Sequence, residues 1–172
     1  RGPPTGPQRV PSIAPPVRRV EELVPVSVTE LAPGHHVVDL GQNINGWVRL
    51  SNLGPEGTVL TLTHGEWRVT MENYIVNVPF LPETFVRQQD RVTSAGRTGD
   101  VFEPTFTTHG FQYVRIEGHP GPLTVDDVRG MVVHTDLTRI GGFACSDDRI
   151  TALHEAAVWS FRGNACDIPT DC

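Results

Sequence analysis

The sequence has no cluster of basic residues beyond Arg18-Arg19, and its formal net charge is −6. A nucleic-acid or anionic-membrane surface needs clustered positive charge, so neither is expected as a partner. No apolar run approaches the roughly 18 residues that mark a membrane-spanning helix. The first residues, Arg1-Gly-Pro-Pro-Thr-Gly-Pro, lack the apolar stretch of a secretion signal. The three cysteines, Cys145, Cys166 and Cys172, form no C-x-x-C and no tight Cys/His array. An odd count crowded into the last quarter suggests reduced thiols rather than a disulfide framework, which leans towards the cytoplasm and leaves the compartment open. Of seven histidines only His35 and His36 are close in sequence. Adjacent strand residues point to opposite faces, so no metal and no cofactor is expected. A nucleophile elbow, a phosphate loop, a dinucleotide fingerprint and an H-E-x-x-H are all absent.

What is present is an ordinary soluble composition, 172 residues with 38% hydrophobic content, long enough to bury a core. Residues 1–34 are Pro-rich, with Pro-Pro at 3–4 and 15–16, and are expected to be an extended linker entering from an upstream domain. Within it, Val24–Leu31 alternates and is expected as one edge strand, with Pro25 tolerated near its start. From about residue 35 to 137 the hydrophobic period is two. His36–Leu40, Gly46–Leu53 and Thr58–Glu66 alternate apolar with polar residues and are rich in β-branched types. Further strands are expected at Gln89–Val92, Val101–Thr107, Gln112–Gly118 and Val125–His134. Asn45-Gly46 offers a hairpin signal and Gly54-Pro-Glu-Gly57 a second reversal. The class is therefore mainly β, an antiparallel β-sandwich of jelly-roll or concanavalin-like kind with a C-terminal helix. Thr70–Gln88, with Pro79 and Pro82, is expected to be a long loop, a place where ligand contacts often sit.

After Asp136 the period changes. Ser146 or Asp147 can cap a helix from about Asp148 to Phe161, with Ile150, Leu153, Ala157, Val158 and Phe161 on one face. Gly163-Asn164 supplies the stop. The apolar face needs a partner: either the helix packs on the sandwich, or it opens a helical domain, here residues 138–172, most of which lies beyond. Asp167 and Asp171 then flank Pro169, which forbids a regular helix and holds both acids on a turn.

Two clusters carry possible chemistry. Gln42, Asn43 and Asn45 with Trp47 combine amides and an indole, a combination that binds sugars by hydrogen bonds and ring stacking, and that also suits a turn beside a core Trp. Thr107–Arg115 reads as a core strand, with Gly110 permitting a bend. Asp147-Asp148 read as helix-capping acids.

Five segments in this order resemble a known family: Asp39–Trp47 (DLGQNINGW), Phe102–Val114 (FEPTFTTHGFQYV), His134–Asp136, Phe143–Ser146 (FACS) and Arg162–Cys172 (RGNACDIPTDC). Together they look like bacterial α-L-rhamnosidases of the multidomain inverting glycoside hydrolase type (family 78). The likeness runs from about residue 20 to the end and departs between Trp67 and Arg87, where Pro79 and Pro82 replace a run of polar and acidic residues. It implies a sandwich placed just before an (α/α)6 catalytic barrel, against which the chain would pack, with Asp148–Phe161 as that barrel's first helix. It also implies rhamnose-containing glycosides as substrates and Asp171 as a residue that contacts the rhamnose. The general acid would follow a few residues beyond Cys172 and the general base would lie far downstream, so these residues are expected to be inactive alone. No catalytic residue is expected within them.

Overall fold

The computed structural model describes residue 6 and residues 10–69, 74–76 and 88–170. The expected loop at Thr70–Gln88 lies largely outside the described residues, as does Asp171. Among the described residues, nine strands are followed by a helix and a two-stranded turn. The strands are β1 Val17–Leu23, β2 Ser27–Ala32, β3 His35–Leu50, β4 Val59–Gly65, β5 Trp67–Val69, β6 Tyr74–Val76, β7 Gln89–Thr93, β8 His109–Glu117 and β9 Val128–Thr135. Then come α1 Asp148–Asn164, β10 Ala165–Cys166 and β11 Ile168–Pro169. The mainly β, antiparallel class with a C-terminal helix is as expected. The main sheet runs β1-β9-β3-β8-β4-β7, with β2 added on β3, and every pairing is antiparallel.

β3 shapes the sandwich. Its first half, residues 35–39, lies between β2 and β8; beyond the bend residues 44–46 still pair with β8, and residues 46–50 pair with β9. The register with β8 slips between Asp39 and Ile44. Gly41 occupies that slip with φ +72°, a conformation that side-chain-bearing residues rarely adopt, and the Asp39 carboxylate accepts from its N–H at 2.7 Å. The expected hairpin at Asn45-Gly46 is therefore not formed: both residues lie inside one continuous strand. Gly46 answers a long-range demand instead. A Cβ built there would lie 1.8 Å from the Met131 carbonyl oxygen on β9, so only glycine permits that crossing.

The sequence alternation of β3, β4 and β8 places one side of the curled sheet inside. Val38, Leu40, Ile44, Val48 and Leu50 of β3 meet Leu60 and Leu62 of β4, Phe111, Val114 and Ile116 of β8, and Val128 and Val132 of β9. Each such side chain contributes roughly 2 kcal/mol when taken out of water. Two expectations need correction. Residues 17–32, read as extended chain with one edge strand, supply two strands of the main sheet, because Val20, Leu23 and Val28 pack against this core. Val101–Thr107, expected as a strand, makes only a single bridge through Phe102 to Leu50, and Phe106 turns away with φ +61°.

α1 starts where the acids predict: Asp147 caps it, its carboxylate accepting from the Arg149 N–H at 3.0 Å. The helix packs on β3 and β9, but not through the apolar stripe read from the sequence. Trp159 reaches the core cluster, while Ile150, Leu153 and Phe161 are 50%, 70% and 61% exposed. The stripe faces away from the sheet. No helix among the described residues is long and apolar enough to cross a membrane.

Candidate functional site

A groove of about 450 Å³ separates the bend of β3 from α1. One wall is Gln42, Asn43, Ile44 and Asn45 with Glu66 and Gly110, and the other is Ala156, Trp159, Ser160, Gly163 and Asn164. Three of the four residues singled out from the sequence thus share one surface. Their amide nitrogens are engaged within the protein. Gln42 Nε2 donates to the Asn43 carbonyl at 2.9 Å, and Asn43 Nδ2 donates to Glu66 Oε1 at 3.0 Å. Asn45 Nδ2 donates both to the Val133 carbonyl at 2.7 Å and to Cys166 Sγ at 3.3 Å. With both Asn45 hydrogens committed, its amide nitrogen anchors protein rather than ligand.

What Asn45 anchors is the turn leading to Asp171. β10 and β11 pair across Asp167, which sits at φ +71°. The Asp167 N–H donates to Thr135 Oγ1 at 2.7 Å, so its role among the described contacts is through its backbone. Thr170 N–H donates to the Asn164 side-chain oxygen at 2.8 Å and to the Asn164 carbonyl at 3.0 Å. Burial pushes the Cys166 thiol above its ordinary value, against the smaller opposing effect of the Asn45 hydrogen bond. The helix end is tied down too: Arg162 lies over the Trp159 ring at 3.9 Å, donates to His134 Nε2 at 2.9 Å and pairs with Glu21 of β1.

Trp47 does not line the groove. Its indole N–H donates to Glu103 Oε2 at 2.8 Å, and Arg49 Nε donates to the other Glu103 oxygen at 2.7 Å. Arg19 adds a second cation 3.2 Å away. Burial alone would raise the Glu103 carboxyl, but the hydrogen bonds from Trp47 and Arg49 and the two guanidinium charges outweigh it and hold the group below its ordinary value. This pins the Phe102–Glu103 segment to the sheet and joins two of the five sequence segments named above.

One convergence of chemically capable side chains was not visible in the sequence. His64 of β4, Asp90 of β7 and His109 of β8 come together, with their potential ligand atoms all within 4.8 Å. They are far apart in sequence, and only the pairing of β7 and β8 on either side of β4 assembles them.

Residues 29–134 match the bacterial alpha-L-rhamnosidase concanavalin-like domain, and residues 138–172 match the bacterial alpha-L-rhamnosidase 6 hairpin glycosidase domain. An alpha-L-rhamnosidase of Streptomyces avermitilis is 38% identical over 157 residues, covering 91% of this chain and 15% of that protein. The solved alpha-L-rhamnosidase of Dictyoglumus thermophilum superposes with a TM-score of 0.85 at 32% identity, over 93% of this chain and 18% of that one. The structure of the Streptomyces avermitilis enzyme complexed with L-rhamnose gives 0.83 at 35% identity, over 92% and 15%. The chain thus spans less than a fifth of the length of these relatives. The chain superposes on these proteins over nearly all of its length, and it belongs to the bacterial α-L-rhamnosidase family.

Proposed function

We propose that these residues are the part of an α-L-rhamnosidase that positions its catalytic barrel, and that they do not hydrolyse glycosides by themselves. In this reading the residues before Val17 lead in from upstream, 17–137 form the accessory sandwich and 138–172 begin the (α/α)6 barrel. The whole enzyme removes terminal α-L-rhamnose with inversion. Inversion takes two carboxyl groups roughly 6.5–9.5 Å apart, one protonating the leaving oxygen and one activating water. By family resemblance both belong to the barrel beyond Cys172, and Asp171 contacts the sugar.

The observation that carries this reading is the double tether of the turn before Asp171: Asn45 to Cys166 and Thr135 to Asp167. A sugar-contacting acid held by a turn that is hydrogen-bonded to a rigid sheet gains the positional precision catalysis needs. The outward apolar stripe of Ile150, Leu153 and Phe161 supplies the surface on which the rest of the barrel would pack. The test uses these residues joined to the helical domain that the relatives carry. Asp171→Asn should abolish most turnover of an aryl α-L-rhamnoside, and Asn45→Ala should lower kcat/KM about tenfold at unchanged fold. Full activity in both variants would refute the positioning role.

The groove beside Trp159 favours a second reading, a carbohydrate-binding sandwich using Gln42, Asn43 and Asn45. Trp47 lies outside that groove, with its indole N–H given to Glu103. Titration with L-rhamnose followed by tryptophan fluorescence separates the two, since saturation that is lost in Trp159→Ala supports binding and the absence of a saturable change at millimolar sugar removes it.

A further inference from the structure

At one end of the sandwich interior, beside Phe111, three ionisable side chains are enclosed. The His64 side chain is 0% exposed, His109 7% and Asp90 11%. The two imidazoles stack with centroids 4.1 Å apart, and Phe111 meets the His64 ring edge-on at 4.7 Å. His64 Nδ1 lies 3.2 Å from the Gln88 carbonyl oxygen. A carbonyl only accepts, so the ring hydrogen is on Nδ1 and the lone pair is on Nε2. That Nε2 is buried and has no hydrogen-bond partner, and the nearest charged atom it faces is Asp90 Oδ2 at 3.8 Å. A lone pair turned towards a carboxylate in a water-poor interior is unfavourable unless something positive lies between them.

We propose that His64 Nε2, His109 Nε2 and Asp90 Oδ2 bind a divalent transition metal of zinc type. Two imidazoles and a carboxylate suit zinc better than calcium or magnesium, which prefer all-oxygen shells. Tetrahedral bonds of about 2.0–2.2 Å place ligand atoms roughly 3.4 Å apart. The His109 Nε2 to Asp90 Oδ2 distance is 3.0 Å and that from His64 is 3.8 Å, so they bracket this value, and the stacked rings turn apart for both Nε2 lone pairs to meet one ion. The surrounding contacts are those a metal site requires. The Gln88 carbonyl fixes the His64 ring, and the Gln88 side chain grips Gly110, next to His109, by accepting its N–H and donating to its carbonyl, both at 3.0 Å. His109 and Asp90 retain slight exposure, which leaves an entry path from solvent. A bound metal joins β7, β4 and β8 at one point, and its role is structural, independent of whether the whole enzyme cleaves rhamnosides.

The test begins with the chain freed of metal by a chelator and titrated with Zn(II) by calorimetry and with Co(II) by absorption. One Zn(II) per chain, a rise in melting temperature on its addition, and visible Co(II) bands of tetrahedral nitrogen and oxygen ligation are expected. His64→Gln and Asp90→Asn should each weaken binding at least a hundredfold, whereas His35→Gln, at an exposed histidine, should not. No saturable uptake at micromolar metal by the unaltered chain overturns the proposal. So does undiminished binding in a folded His64→Gln variant. The Co(II) spectrum decides independently of whether the variants fold: a sulfur-to-metal charge-transfer band would place the ion on a cysteine and also overturn it.

Discussion

The Asn45 amide nitrogen lies 3.3 Å from the Cys166 sulfur, joining residues 121 positions apart. The same nitrogen donates to the Val133 carbonyl, so the contact pins the C-terminal turn to the strand on which the helix also rests. Replacing Asn45 by Ala leaves a partly buried carbonyl without its donor, and unfolding in urea should show a loss of about 1–2 kcal/mol. An unchanged midpoint and slope would mean that the tether does not stabilise the fold.

Thiol reactivity follows from the same contact. In a Cys172→Ser background Cys145 is exposed, while Cys166 is half-buried with its thiol pushed up by burial. The thiolate is the reactive form, so an aromatic disulfide reagent at pH 8 should label Cys145 several times faster than Cys166. Equal rates would show that the turn opens readily from the sheet.

Gly46 was legible as a glycine in a turn and not as what it is. The Asn-Gly pair is a local signal, whereas the Met131 carbonyl that forbids a side chain comes from another strand. Gly46→Ala should therefore destabilise by about 3 kcal/mol or more. Gly163, near the end of α1, has open space where a methyl group would stand, with nothing within 4 Å, so Gly163→Ala should gain roughly 0.5–1 kcal/mol. Calorimetric melting of both variants checks the contrast, and similar effects at the two positions would contradict it.

Acid should act on the fold through His36. Both ring nitrogens are buried without hydrogen-bond partners, and burial first, with neighbouring His119 and His35 adding to it against Glu30, lowers its pKa below 6.5. Below 6.5 the unfolded chain takes up a proton that the folded chain resists, so stability falls as pH drops from 6.5 towards the lower folded value. His36→Leu removes the unsatisfied atoms and should match or exceed the parent stability at pH 7, with a shallower decline between pH 6.5 and 5. A variant that keeps the full decline would place the acid sensitivity elsewhere.

Glu103 titrates with the opposite chemistry. Its folded pKa lies below the ordinary 4.5, so the stability it contributes is present above that value and is lost as pH falls through the folded one. Glu103→Gln should therefore be less stable than the parent at pH 7 and indistinguishable from it in strong acid, as read from melting temperature against pH. A constant difference at every pH would show that charge is not what Trp47, Arg49 and Arg19 recognise.

The alternation of β3, β4 and β8 and the capped start of α1 were readable because pattern and period are local properties of the chain. The helix was harder to orient. Its apolar stripe of Ile150, Leu153 and Phe161 suggested the buried side, yet Trp159 and Arg162 make the contacts with the sheet, because His134 and Glu21 offer Arg162 partners that no helical periodicity reveals. The grouping of Gln42, Asn43 and Asn45 on one groove followed from their closeness in sequence. The engagement of their nitrogens with Glu66, Val133 and Cys166 did not, and neither did the meeting of His64 with Asp90 and His109, since each depends on strand order.

Hydrolysis of an aryl α-L-rhamnoside, followed with these 172 residues alone and with the same residues joined to the helical domain, tests the central claim most directly. No turnover above buffer is expected from the first, and release of rhamnose with inverted anomeric configuration from the second. Turnover by the 172 residues alone, or none by the joined protein, would contradict it.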